Sequence, residues 1–173
     1  MIVKRIFKSN SEDMNLKNEP FDIIGKLIPL YNGDSYSYEI KLNNQVSSMC
    51  YPNEIYSYDD TKGKYIFLGA YEDGVCIGLA ILKHSINRYI YLYDIKVNKE
   101  YRRSGIGKQL ILKAKEVAKE NEYIGIYSKV DNENLIACKF YLKNNFKIGG
   151  IDNKIYSGTD NQEKIEIKFY LDL

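Results

Sequence analysis

Between Arg102 and Lys108 the chain reads RRSGIGK, with basic residues around two glycines, directly ahead of a run with helical periodicity. Glycine lets a backbone approach a ligand closely, and the first amides of a helix have no partner inside it. The helix macrodipole adds positive partial charge at the same end. Together these features suit a diphosphate. A plain strand-to-helix turn would use glycine for geometry and arginine for solubility, so the loop alone leaves both readings open. Two other phosphate loops are excluded by residue type. A P-loop needs glycine where Arg102 stands and Ser or Thr where Gln109 stands, and the dinucleotide fingerprint needs its third glycine at Leu110.

Other side chains with chemical potential are few. The only histidine, His84, lies at the end of a strand-like run and reads as a turn residue rather than a base. Cys50, Cys76 and Cys138 are widely spaced and odd in number, which argues against a disulfide framework and against a metal cluster. Cys138 has no histidine partner in view and reads as a small core residue. Asp94 sits on the strand just ahead of the loop, as a candidate base or equally as a structural hydrogen-bond acceptor.

The elements that must hold these residues follow from periodicity. KYIFLGAY, VCIGLAILKH and YIYLYDIKV are strand-like runs joined by EDG and SINR, so three adjacent antiparallel strands are expected from Lys64 to Val97. After the loop, Ile106, Leu110, Ile111, Ala114, Val117 and Ala118 recur at helical spacing, giving one buried face. YIGIYSKV is then a strand, DNENLIACKFYLKNN a second helix opened by good N-cap residues, and FKIGGI and KIEIKFYLDL closing strands. The strand before the loop and the strand after its helix are expected to be parallel neighbours. The result is a mixed α/β (α+β) sheet, mostly antiparallel, flanked by helices. The first third resists such reading: IVKRIF looks like a strand, and turn signals such as YNGDSY then alternate with short apolar pieces up to about Thr61.

At 173 residues one domain over 1–173 is expected. A net charge of +2 supplies no global field for nucleic acid or an anionic membrane, and Arg102 and Arg103 form no extended basic face. The opening MIVKRIFKSNSEDM lacks the apolar core of a signal peptide, and the apolar run Val75 to Leu82 is too short to cross a bilayer, so a soluble cytoplasmic protein is expected. The 17 tyrosines carry no functional reading by themselves.

The second helix adds Asn134, Ala137, Phe140 and Tyr141 in the order Asn-x-x-Ala-x-x-Phe-Tyr, with Phe146 beyond it. With the Arg-x-x-Gly-x-Gly loop from Arg102 to Gly107, this resembles the GNAT superfamily of acyl-CoA-dependent N-acetyltransferases, over Lys64 to Leu173 in element order. The resemblance implies a sheet splayed between two parallel strands, with acetyl-CoA as co-substrate and no metal. It implies that Arg102, Arg103, Ser104, Gly105, Ile106, Gly107 and Lys108 bind the diphosphate, and that the backbone of Ile95, Lys96 and Val97 binds the pantetheine. It carries Asn134 over as a coenzyme contact and Tyr141 as the general acid. Lys143 is a candidate for the 3'-phosphate beside the alternative of a solvated helix-face lysine. A family glutamate position holds Tyr93 here, which leaves Asp94 or a water route as the base. The family glycine before Phe146 is Asn145, the next best residue for a left-handed helix end.

Within that superfamily, NEPFDIIGKLIP, NRYIYLYDIKV, YRRSGIG and ENLIACKFYLKNNFKIGG resemble the streptothricin N-acetyltransferases. The resemblance implies acetylation of the β-lysine amine of a cationic antibiotic, and hence resistance. A cationic acceptor calls for carboxylates. The candidates are Glu19, Asp22, Glu39, Glu54, Asp59, Asp60 and Asp94, with Asp22, in EPFD, as the favoured substrate contact. VSSMCYPNEIYSYDDTKG has few acids and several tyrosines, so another small amine, a polyamine or a protein lysine stays open as acceptor. A non-catalytic acyl-CoA sensor is the reading from another class, and a homodimer is compatible with either.

Overall fold

Apolar runs bounded by turn residues dictate most elements of the computed structural model, which describes residues 1–173. In chain order these are β1 (Ile2–Arg5), a 3-10 segment (Lys8–Asn15), β2 (Phe21–Tyr31), β3 (Tyr36–Met49), α1 (Tyr58–Thr61), β4 (Tyr65–Glu72), β5 (Val75–Lys83), β6 (Tyr89–Val97), a 3-10 turn (Lys99–Tyr101), α2 (Ile106–Glu120), β7 (Gly125–Asp131), α3 (Leu135–Lys143), β8 (Lys147–Asp152) and β9 (Glu166–Asp172). The chain forms two compact units, each built from separate segments. No helix is long and apolar enough to cross a membrane.

The first unit comprises Met1–Glu19, Cys50–Ile126 and Leu173. Its strands lie in the order β1-β4-β5-β6, each pair antiparallel. β4 and β5 are apolar on both faces and buried along nearly their whole length, as a central strand covered on both sides must be. Asp73 and Gly74 take positive φ of 49° and 83° between them, the conformation that a two-residue hairpin turn requires. α2 packs on β4, β5 and β6 through Ile106, Leu110, Ile111, Ala114, Val117 and Ala118, the face read from the sequence. Its first turn sits close to β5 because residue 78 is glycine: a Cβ there would lie 3.2 Å from Ile106 Cγ2 and 3.4 Å from Leu110 Cδ1.

The second unit comprises Pro20–Met49 and Tyr127–Asp172. It holds β9 between β7 and β8, and β2 paired with β3. The stretch expected as short apolar pieces is in fact an antiparallel hairpin with strands of 11 and 14 residues. Its turn is the predicted YNGDSY, where Asn32 Oδ1 accepts from the amides of Asp34 and Ser35 at 3.0 and 2.8 Å. α3 packs on β2. Buried Asn132 fixes the entry to α3. Its backbone and side chain bond Leu27 and Ile165 through contacts of 2.9 to 3.3 Å, satisfying every polar group that burial would otherwise strand.

Candidate active site

At the end of β6, the Asn98 amide donates to the Ile77 carbonyl at 2.9 Å. Alternation along the antiparallel ladder therefore turns the amides and carbonyls of Ile95 and Val97 away from β5. The 3-10 turn and the loop then redirect the chain, with Arg103 at φ 65° and Gly105 at φ 91°. Gly105 is the N-cap of α2 and brings no side-chain cap. The first helical bond runs from Gln109 to the Gly105 carbonyl, which leaves the amides of Ile106, Gly107 and Lys108 pointing out of the helix end. Apart from its two chain neighbours, a Cβ on Gly105 would meet no protein atom within 4 Å. Ser104, Gly105 and Lys108 are exposed, as is Arg103.

Arg102 behaves differently from its neighbours in the motif. Its Nε donates to the Val97 carbonyl at 3.0 Å, and its guanidinium lies 3.7 Å from the Glu19 carboxylate. It clamps the loop onto the strand end. Asp94 and Lys96, two apart and on one side of β6, form an ion pair at 3.2 Å, and the Lys96 ammonium also donates to Asn18 Oδ1 at 3.0 Å. Asp94 therefore already takes part in a structural ion pair.

In the second unit, α3 presents Tyr141 as a buried residue, 4% exposed. Its ring stacks on Phe169 at 5.4 Å and meets Phe146 edge-on at 5.1 Å. Its phenol oxygen accepts from Ser128 Oγ at 2.9 Å. Ser128 was not singled out from the sequence, although a serine at an inward position of YIGIYSKV was the available signal. The end of α3 locks Tyr141 further. Asn145 adopts φ 66°, the Phe146 amide returns to the Tyr141 carbonyl at 3.1 Å and the Asn145 amide to Leu142 at 3.1 Å, the paired bonds of a Schellman motif. The turn survives the replacement of glycine, as expected.

Asn134 is the N-cap of α3, its Oδ1 accepting from the Ala137 amide at 3.1 Å. Its oxygen is therefore committed, and the side-chain amide N–H groups are what it can offer a coenzyme. Lys143 is exposed in the last turn of α3, and Asp22 is exposed at the start of β2. Cys138 is buried, its thiol pushed up to about 12 by burial, so it is no nucleophile at neutral pH. His84 bonds Tyr123 through Nδ1 at 3.0 Å at the end of β5. No group of His, Cys, Asp and Glu is arranged to hold a metal ion.

Known proteins resemble this chain in sequence and fold. The profile of the Acetyltransferase (GNAT) family matches residues 34–146. Streptothricin acetyltransferase A of Bacillus subtilis (strain 168) is 33% identical over 156 residues, covering 89% of this chain and 90% of that one. Spermidine N(1)-acetyltransferase of Thermoplasma acidophilum is 33% identical over 87 residues, 50% of this chain and 53% of that one. Among solved structures, a Bacillus anthracis str. Ames chain assigned as a streptothricin acetyltransferase, in complex with acetyl coenzyme A, superposes with a TM-score of 0.89 at 29% identity, covering 99% of both chains.

Proposed function

The chain belongs to the acetyltransferase (GNAT) family, and from that membership we propose that it transfers the acetyl group of acetyl-CoA to a primary amine of a cationic small molecule. The acceptor we infer is streptothricin, at its β-lysine amine, so that acetylation confers resistance. The observation that carries this reading is the open end of α2, where three amides behind a left-handed glycine lack a capping side chain. That is a diphosphate grip, and the B. anthracis relative with the same fold was solved with acetyl coenzyme A.

In this reading Ile106, Gly107 and Lys108 bind the diphosphate through their amides, with Arg103 and Ser104 beside them and Arg102 bracing the loop. The outward amides of Ile95 and Val97 receive the pantetheine, and the Val97 N–H steadies the oxyanion that forms when the amine attacks the thioester carbonyl. As the C–N bond forms, the C–S bond breaks, and Tyr141 gives its phenolic proton to the departing thiolate. Asn134 contacts the coenzyme through its side-chain amide N–H groups, and Lys143 reaches its 3'-phosphate. Asp22 serves as a carboxylate for the acceptor, and Asp94 holds Lys96 in place while water carries off the proton of the amine. The T. acidophilum spermidine acetyltransferase supports a polyamine as the second candidate acceptor.

A thiol-release assay with acetyl-CoA against streptothricin, aminoglycosides, spermidine and lysine tests the proposal. Turnover with streptothricin and little with the rest is the expected result. Coenzyme A binding without turnover on any amine would overturn it in favour of a sensor.

A further inference from the structure

Of the seven carboxylates that a cationic acceptor could use, three already face a cation of the protein. Glu19 lies against Arg102, Asp59 against Lys8 and Asp94 against Lys96. Glu54 is held in another way. Its Oε1 accepts from the Tyr93 hydroxyl at 2.7 Å, and its Oε2 accepts from the Tyr56 hydroxyl.

Both phenols are rooted in the core of the first unit. Tyr56 and Tyr93 pack against the buried cluster of Ile6, Met14, Phe67, Leu79 and Ile81. Tyr56 meets Phe67 edge-on at 5.2 Å, and Tyr93 meets Tyr65 at 6.1 Å and Tyr91 at 5.7 Å. Tyr93 owes its direction to a β-bulge. Ile81 faces Asp94 and Leu82 faces Leu92, so Tyr93 is the extra residue on β6. A bulge of this kind re-aims one side chain out of the strand's regular alternation. The Tyr93 phenol is pushed up to about 12, first by its bond to Glu54, and burial raises that of Tyr56 as well. At neutral pH both are donors.

An ionised carboxylate offers about four lone-pair sites. Two phenols occupy two of them, fix the orientation of the group and leave the others on its exposed side. The surrounding rings add a surface that attracts cations. A carboxylate so preorganised loses little freedom when a ligand arrives, unlike an ordinary surface glutamate.

We propose that Glu54, oriented by Tyr56 and Tyr93, receives an alkylammonium group of the acceptor. The inference rests on the acetyltransferase reading above and names a specificity residue within it.

The test is calorimetric titration of streptothricin and spermidine into the coenzyme A-bound protein, for the native chain, Glu54→Gln and Asp59→Asn. Glu54→Gln should weaken binding of at least one of these amines by about tenfold or more and leave coenzyme A affinity within about twofold. Asp59→Asn, which removes an exposed charge already paired with Lys8, should match the native chain. Equal amine affinity in native and Glu54→Gln would overturn the inference, as would equal loss in both variants or no amine binding by the native chain. Failure of the native chain to bind coenzyme A would instead sink the acetyltransferase reading. Titration of the amines into the free chain would then still decide the role of Glu54.

Discussion

The two long-range helices begin in opposite ways. α2 starts behind Gly105, a left-handed residue with no side chain to offer, and its first amides have no capping side chain. α3 starts behind Asn134, whose own oxygen closes on the Ala137 amide. A closed helix end stabilises the chain, whereas an open one forgoes about 1 kcal/mol of capping and keeps its donors for a ligand. In the proposed function the difference separates the tasks: α2 contributes backbone for binding, and α3 contributes a side chain, Tyr141, for chemistry.

That division makes kinetic predictions of different kinds, and the largest falls on α3. Tyr141→Phe keeps the stacked ring and removes the proton donor together with the acceptor of the Ser128 hydrogen bond, so kcat should fall by about 100-fold or more, the usual contribution of a general acid. The Kd for acetyl-CoA, measured by calorimetry, should stay within about twofold. Equal loss in kcat and affinity would mean that α3 binds as α2 does, and the contrast would be broken.

The next largest effect belongs to the open end of α2. Gly105→Val forces a β-branched residue to φ 91°, a conformation costing about 1 to 3 kcal/mol, while its Cβ meets no atom within 4 Å beyond its chain neighbours. Affinity for acetyl-CoA should drop by about tenfold, with kcat at saturating coenzyme largely preserved. Unchanged affinity together with a lowered melting temperature would make the loop a plain turn.

How much of this was legible depends on whether a pattern has to be local. The buried face of α2 could be read because six apolar residues at helical spacing have only one way to share a side. The turns at Asp73–Gly74 and Asn145 were legible because few residue types tolerate positive φ. β3 was not, since it is exposed along nearly its whole length and has no buried face to impose alternation. The bracing of Glu54 by Tyr93 joins residues 39 apart, a separation that carries no spacing signal. Arg102 was recognised as a motif residue, yet its bond to the Val97 carbonyl depends on how the 3-10 turn folds back, which composition does not encode.

The smallest expected effect bears on Asn134, where a cap and a coenzyme contact share one side chain. The two roles use different atoms: the oxygen caps Ala137, and the side-chain N–H groups are what remains for a ligand. Asn134→Ala removes both and should lower stability by about 1 kcal/mol, read as a shift of the denaturation midpoint, while weakening acetyl-CoA binding a few-fold. Asn134→Asp keeps the oxygen and the cap but replaces the donor with a second acceptor. It should therefore restore the midpoint and leave the binding defect. Recovery of both by aspartate would reduce Asn134 to a cap, and α3 would then contribute to the reaction through Tyr141 without holding the coenzyme through this side chain.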